Sequence, residues 1–165
     1  MNEKTPQRIL HPIPPLYCAD SRTLILGSFP SVKSRQGQFF YHHPQNRFWR
    51  VIAAVTQSPV PQTIEEKKQL ILCNGLALWD SIGSCEIIGS QDSSIRNVVP
   101  NDVGEILRRS DICRIFCNGA TAHRYYQVYI QPKTGIEAVK LPSTSPANAA
   151  WSFERLVEAW RVILP

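Results

Sequence analysis

The chain has 165 residues, 43 % of them apolar, which gives enough apolar material for one domain with a full-sized core and too much for a disordered segment. Lys and Arg exceed Asp and Glu by 18 − 13 = 5, a mild excess that suits a polyanion such as DNA or RNA without requiring one. No apolar run approaches the ~20 residues of a membrane span, and Met1-Asn-Glu-Lys-Thr-Pro6 carries no apolar signal region, so a cytoplasmic or nucleoid-associated protein with no membrane partner is expected.

Residues 1–20 are Pro-rich and predict an extended lead-in over the surface. The apolar run from Thr23 to Leu26 stops at Gly27-Ser-Phe-Pro30, which predicts a buried strand over 22–28 ending in a tight turn. Residues 29–46 form a long loop, dense in aromatics, His, Pro and Asn, and loops of that length are usually functional or disordered. A helix follows from Arg47 to Val55, apolar at Phe48, Val51, Ile52 and Val55, with Asn46 able to cap it. Thr63-Ile-Glu-Glu66 opens a second helix with a capping box, and Asn74-Gly75 ends it.

Leu76 to Asp80 predicts strand two, with Asp80 at its carboxyl end. Residues 81–100 read as mixed, with Gly83, Gly89 and Ser-rich turns, before a short helix from Asn101-Asp102 through Arg109. Cys113 to Cys117 is strand three, Asn118-Gly119 its turn, and 120–130 the next helix. Glu137 to Leu141 is strand four, ending in Pro142-Ser-Thr-Ser-Pro-Ala-Asn148, and a last amphipathic helix runs from about Ala149 to Ile163, with Trp151 and Trp160 expected in the core. Alternating strands and helices predict an α/β fold: a three-layer α/β/α sandwich around a mostly parallel four-stranded sheet, one domain over 1–165. Ligands of such sheets sit outside the carboxyl ends of the strands. There the turns at Gly27-Ser28, Asp80-Ser81, Asn118-Gly119 and Ser143-Thr-Ser145 would line a crevice with hydroxyls, amides and one carboxylate.

The chemistry of that crevice is narrowed by what it lacks. Gly-Ser-Phe-Pro is not a P-loop and no G-x-G-x-x-G follows a strand, so no nucleotide cofactor is expected. Ser81 and Ser143 have no convincing His–Asp partners, and Asp80 alone cannot supply paired carboxylates. The five cysteines, Cys18, Cys73, Cys85, Cys113 and Cys117, contain no C-x-x-C pair and read as small buried hydrophobes, Cys113 and Cys117 on one strand face. No metal is expected. What remains suits an uncharged planar ring, held by stacking and hydrogen bonds, and a reaction aided by a positioned water.

Gly27-Ser-Phe-Pro-Ser31 with Tyr41-His-His-Pro-Gln-Asn46-Arg-Phe-Trp49 resembles the first motif of the uracil-DNA glycosylase superfamily, close in layout to its mismatch-specific uracil/thymine branch. With Leu141-Pro-Ser-Thr-Ser-Pro-Ala-Asn148, the chain looks more like the branch that acts on deoxyinosine, the hypoxanthine-DNA glycosylases. The resemblance covers nearly the whole chain and implies that family's α/β/α sandwich. It implies a monofunctional, metal-free glycosylase that flips a deaminated base (hypoxanthine first, uracil or xanthine after it) out of DNA and leaves an abasic site, acting as a monomer.

The mismatch-specific branch has its water-positioning Asn where this chain has Phe29. The resemblance therefore moves that role to Asn46, whose carbonyl would orient the water. It gives Tyr41 the stacking role, with Phe39 and Phe40 as alternatives. Gly27 and Ser28 would offer backbone groups to the base edge, with Pro30 beside them, and Asn118 would recognise the base or serve only as a turn residue. Phe29 is a pocket wall or core filler, and His42 and His43 are structural or solvent-facing. Asp80 anchors its turn or reads a base edge. Ser143, Thr144, Ser145 and Pro146 would clamp phosphates. The other readings are a mismatch-specific uracil glycosylase, a non-catalytic nucleic-acid-binding protein of the same fold, and a small-molecule hydrolase using Asp80 and a His.

Overall fold

Residues 5–165 are described here from a computed structural model; the first residues of Met1-Asn-Glu-Lys-Thr-Pro6, on which the reading of the N-terminus rests, lie outside that range. In chain order the strands are β1 Gln7–Leu10, β2 Thr23–Gly27, β3 Leu76–Asp80, β4 Ile82–Ile87, β5 Arg96–Pro100, β6 Arg114–Asn118 and β7 Ala138–Leu141. The helices are α1 Val32–Gly37, α2 Phe48–Val55, α3 Ile64–Leu72, α4 Val103–Arg108, α5 Ala120–Tyr125, α6 Gln131–Thr134 and α7 Phe153–Trp160. Among these residues no helix is long and apolar enough to cross a membrane.

The four apolar runs form the predicted parallel sheet, in the order β3-β2-β6-β7. The two-residue alternation of strands sorts their side chains between two layers. Ile25, Leu76, Leu78 and Phe116 face a cluster built with Phe48, Val51 and Ile52 of α2, Leu70 and Ile71 of α3, and Leu156 and Trp160 of α7. Leu24, Leu26, Ala77, Ile115 and Cys117 face the opposite way, onto Val103 and Ile106 of α4 and Ala122 of α5. All the carboxyl ends therefore open on one edge.

The helix starts follow from their caps. Thr63 Oγ1 accepts the Glu66 N–H at 3.1 Å, while Glu66 Oε2 reaches back one residue further than a capping box requires, to the Gln62 N–H at 2.8 Å. Ser152 Oγ accepts the Arg155 N–H at 3.2 Å and starts α7, so Trp151 precedes that helix, half-buried under the Arg155 guanidinium, while Trp160 is fully buried. After α5 the chain continues through one wider π turn, Tyr126–Ile130, into α6.

Two stretches differ from expectation. The lead-in supplies β1, which pairs antiparallel with β4, and β4 pairs antiparallel with β5. The stretch 81–100 thus belongs to a second, three-stranded sheet of order β1-β4-β5. Shifts of register between β4 and β5 break the pattern that would have marked them. Phe29, Ile82, Cys85, Ile87 and Ile95 form the small core beneath it. The long loop also contains α1, capped by Ser31 Oγ on the Ser34 N–H at 3.2 Å. All five cysteines are free, but of the five expected to be buried only Cys85 and Cys117 are; Cys18 is half-buried, and Cys73 and Cys113 are exposed.

Candidate active site

The carboxyl edge of the parallel sheet holds a cleft of about 630 Å³, within the usual size of a small-ligand site. Gly27, Ser28, Phe29, Pro30, Tyr41, Asn46, Asn118, Ser143, Thr144, Ser145 and Pro146 all line it. Phe40 and His43 join them, whereas Phe39 stacks on Trp49 in the core and stays out of the cleft.

Asn46 sits just before α2, and its Oδ1 accepts the Phe48 N–H at 2.9 Å. A backbone N–H can only donate, so this bond identifies the receiving atom as the carbonyl oxygen. The same Oδ1 accepts the Thr144 hydroxyl at 2.8 Å. Thr144 Oγ1 in turn accepts from Asn118 Nδ2 at 2.9 Å, and the Thr144 N–H donates to Asn118 Oδ1 at 3.0 Å. The three side chains form one chain of bonds across the ends of β6, β7 and the first motif, and each bond polarises the next. Two expectations change. Both lone pairs of the Asn46 carbonyl are occupied, so the group it has left for a ligand or water is Nδ2. Thr144 is 0 % exposed and its hydroxyl is spent inside the protein, so it braces the site and cannot touch a phosphate.

The rest of the second motif is shaped by local bonds. Ser143 Oγ accepts the Ser145 N–H at 3.1 Å, Ser145 Oγ accepts the Ala147 N–H at 3.2 Å, and Asn148 Nδ2 donates to Ser143 O at 2.9 Å. Arg47 ties the two motifs together through the carbonyls of Trp151 and Asn148. Pro146 and Ala147 are exposed at the loop's tip.

Tyr41 adopts φ +51°, a left-handed conformation that is rare for a bulky residue. The turn lays its ring on Phe48, with centroids 4.0 Å apart. Its hydroxyl is buried without a well-formed hydrogen bond. Burial first, and then the Asp80 carboxylate, push the phenol well above its ordinary range, with the nearby Asn118 amide only partly opposing them. Gly27 is glycine because of this neighbourhood: a Cβ there would lie 2.4 Å from Asp80 Oδ1 and 3.0 Å from Tyr41 Oη.

Asp80 also lines the cleft, and its side-chain partner is one the sequence reading missed. His11, just past β1, places Nε2 2.7 Å from Asp80 Oδ2, with both side chains almost fully buried. His11 Nδ1 accepts the Ile13 N–H at 3.3 Å, so the ring proton sits on Nε2 and is donated to the carboxylate. The turn after β3 is anchored instead by Asn101, whose Nδ2 donates to the main-chain carbonyls of Asp80 and Ile82. Phe29 lines the cleft and also packs into the core of the second sheet.

A further wall comes from the turn between β4 and β5, where Ser90, Gln91, Asp92 and Ser93 face the cleft. Nothing in that Ser-rich stretch separates it from an ordinary surface turn. Among the described residues no group of three or more His, Cys, Asp or Glu is placed to hold a metal ion. Burial pushes the Cys117 thiol up to about 12 and the Cys85 thiol to about 11, so neither is a thiolate nucleophile at neutral pH.

A family model described as the Uracil DNA glycosylase superfamily matches residues 14–164. The chain belongs to that superfamily. The matched segment of this superfamily member includes the parallel sheet and every cleft-lining residue, and leaves β1 and His11 outside it. A hypoxanthine DNA glycosylase of Methanosarcina acetivorans is 33 % identical over 146 residues, covering 87 % of this chain and 90 % of the relative. One from Methanosarcina barkeri is 27 % identical over 138 residues, covering 82 % and 85 %. The solution NMR structure of a candidate uracil DNA glycosylase from Methanosarcina acetivorans superposes with a TM-score of 0.77 at 29 % identity, over 92 % of this chain and 96 % of that one.

Proposed function

We propose that this superfamily member is a monofunctional DNA glycosylase for deaminated bases, hypoxanthine first and uracil second, acting as a monomer on a nucleotide flipped into the cleft. The observation that carries the preference for deaminated bases is the buried Asp80 carboxylate, which lines the cleft and is held by His11. His11 holds Oδ2 and leaves Oδ1 beside Gly27. An ionised carboxylate can only accept hydrogen bonds. Deamination replaces an amino group beside a ring-nitrogen lone pair by a carbonyl beside a ring N–H. Hypoxanthine and uracil therefore offer a donor where adenine and cytosine offer a lone pair that the carboxylate repels. A site with a buried polar group of this kind rejects the mismatched edge strongly, because that group is left unpaired.

The other residues take roles that their geometry allows. Tyr41, backed by Phe48, gives the base a fixed aromatic surface. Asn46 Nδ2 holds the attacking water by its oxygen, and Thr144 and Asn118 hold Asn46. Ser143, Ser145 and Pro146 on the second-motif loop approach the DNA backbone. The names of the Methanosarcina relatives and the family match support this reading.

The test is base release from matched duplexes carrying one deoxyinosine, one deoxyuridine or neither, read as strand cleavage after alkali. Release from the inosine strand is expected, with the strand intact until alkali is added. Asn46→Ala should slow it by ~10²–10³, the usual cost of removing one preorganised donor. Release from uridine alone would move the protein to the mismatch-specific uracil type. DNA binding with no release from either duplex would make it a non-catalytic binder of the same fold.

A further inference from the structure

An attacking water must give up a proton, and Asn46 cannot take it. Its carbonyl oxygen already accepts two hydrogen bonds, and its remaining amide group is a donor. The other titratable groups that line the cleft can be taken in turn. His43 accepts the Gln45 N–H on Nδ1 at 3.1 Å, which puts the ring proton on Nε2 and leaves the neutral ring no free acceptor. The Tyr41 phenol is held protonated by burial. Asp80 is almost fully buried, its Oδ2 accepts from His11, and its Oδ1 is committed to the base edge in the reading above. Asp92 remains, on the turn between β4 and β5, and it keeps exposure at the cleft.

Asp92 is held as a positioned group. Ser28 Oγ donates to its Oδ1 at 3.4 Å. The segment carrying it is clamped to α1 at two further points. The Val32 N–H donates to Ser90 Oγ at 2.9 Å, and Arg35 donates to Gly89 O at 3.2 Å. Ser94 Oγ accepts the Ile88 N–H at 2.9 Å and closes the turn on itself. The second sheet thus delivers one carboxylate to the cleft and fixes it against the Gly27-Ser28 turn.

The geometry points to Asp92 as the general base of the proposed glycosylase, accepting a proton from the water that attacks the sugar C1′. This inference rests on the glycosylase reading above. In the step, the water oxygen bonds to C1′ and the bond from C1′ to the base nitrogen breaks. The bonding pair leaves with the base, one water proton passes to an Asp92 oxygen, and the departing base takes up a proton from solvent. The groups facing Asp92 tune it for this. Crowding by the cleft wall raises its carboxyl above the ordinary range, hydrogen bonds from Ser28 and Thr121 oppose that, the Asp80 charge adds to it, and Arg124 of α5 lowers it. A base poised above the usual carboxylate range is a better proton acceptor near neutral pH.

The experiment is single-turnover base release from a deoxyinosine duplex by the wild type, Asp92→Asn and Asp92→Glu, across the acid range. Binding is read separately on a duplex carrying non-cleavable 2′-fluoro-deoxyinosine. Asp92→Asn should lower the rate by ~10²–10⁴, the usual share of a general base, with unchanged Kd for the fluorinated duplex, and Asp92→Glu should restore part of the rate. The wild-type rate should fall as pH drops through the raised Asp92 range, because only the ionised form accepts a proton. Asp92→Asn should lack that limb. A wild-type rate at Asp92→Asn, a loss accounted for by weaker binding, or a flat wild-type profile overturns the assignment while leaving the glycosylase reading intact. No release by the wild type overturns both.

Discussion

On the motif side of the cleft, Asn46, Thr144 and Asn118 use up one another's acceptors and leave only amide N–H donors for a ligand. On the side supplied by the second sheet, Ser90 to Ser93 are held mainly at the ends of their turn, and Asp92 keeps an exposed carboxylate. The first arrangement fixes geometry and has nothing to titrate. The second supplies a charge and a proton acceptor. Placing the two properties in separate elements lets the motif network stay satisfied and rigid, since a half-satisfied buried network is costly, while the titratable group stays close to water.

Three substitutions bear on this division. The largest effect is expected at the seam. Phe29→Asn puts an amide into the core of the second sheet, among Ile82, Cys85, Ile87 and Ile95, and should cost ~3–5 kcal/mol, as for other large truncations of buried Phe. The urea midpoint should fall with no gain in base release. A stable and faster variant would mean that the second sheet is dispensable and that the polar residue belongs at position 29 after all. Next comes His11→Ala, which strips Asp80 of its donor and should cost ~1.5–3 kcal/mol, the range for a hydrogen bond to a charged group. It should also weaken discrimination between inosine and adenosine duplexes. Unchanged stability and selectivity would detach the lead-in from the site. The smallest effect is expected on the motif side. Thr144→Val breaks the bridge from Asn118 to Asn46 and should cost about 1 kcal/mol, with slower base release, whereas Thr144→Ser keeps the hydroxyl and should behave as wild type. A double-mutant cycle with Asn118→Ala reads the coupling directly, and additivity would deny the network.

The parallel sheet was legible because its four strands are apolar runs that end in Gly27, Asp80, Asn118 and Leu141, each followed by polar turn residues. The cleft was legible for the same reason, since topology brings those ends to one edge. The second sheet was hidden in segments whose local signals point elsewhere. β1 lies in a Pro-rich stretch, and β5 is exposed along much of its length and carries no clear alternation. The pairing of His11 with Asp80 spans 69 residues, and nothing local in His-Pro-Ile-Pro announces a buried imidazole. The inward role of Thr144 is hidden because a hydroxyl in a Ser/Thr loop reads as surface chemistry until burial shows it facing inward. The engagement of the Asn46 carbonyl is likewise hidden, because its two donors, one on α2 and one 98 residues away, become visible only in three dimensions.

The proposed reaction of this cleft is hydrolytic release of a deaminated base from DNA. Its most direct test is chromatographic identification of the free base liberated from a deoxyinosine duplex, compared with the abasic sites left in the strand. Free hypoxanthine is expected in one-to-one ratio with abasic sites, and none from the matched adenosine duplex. Strand binding with no free hypoxanthine, or equal release from the adenosine duplex, would contradict it.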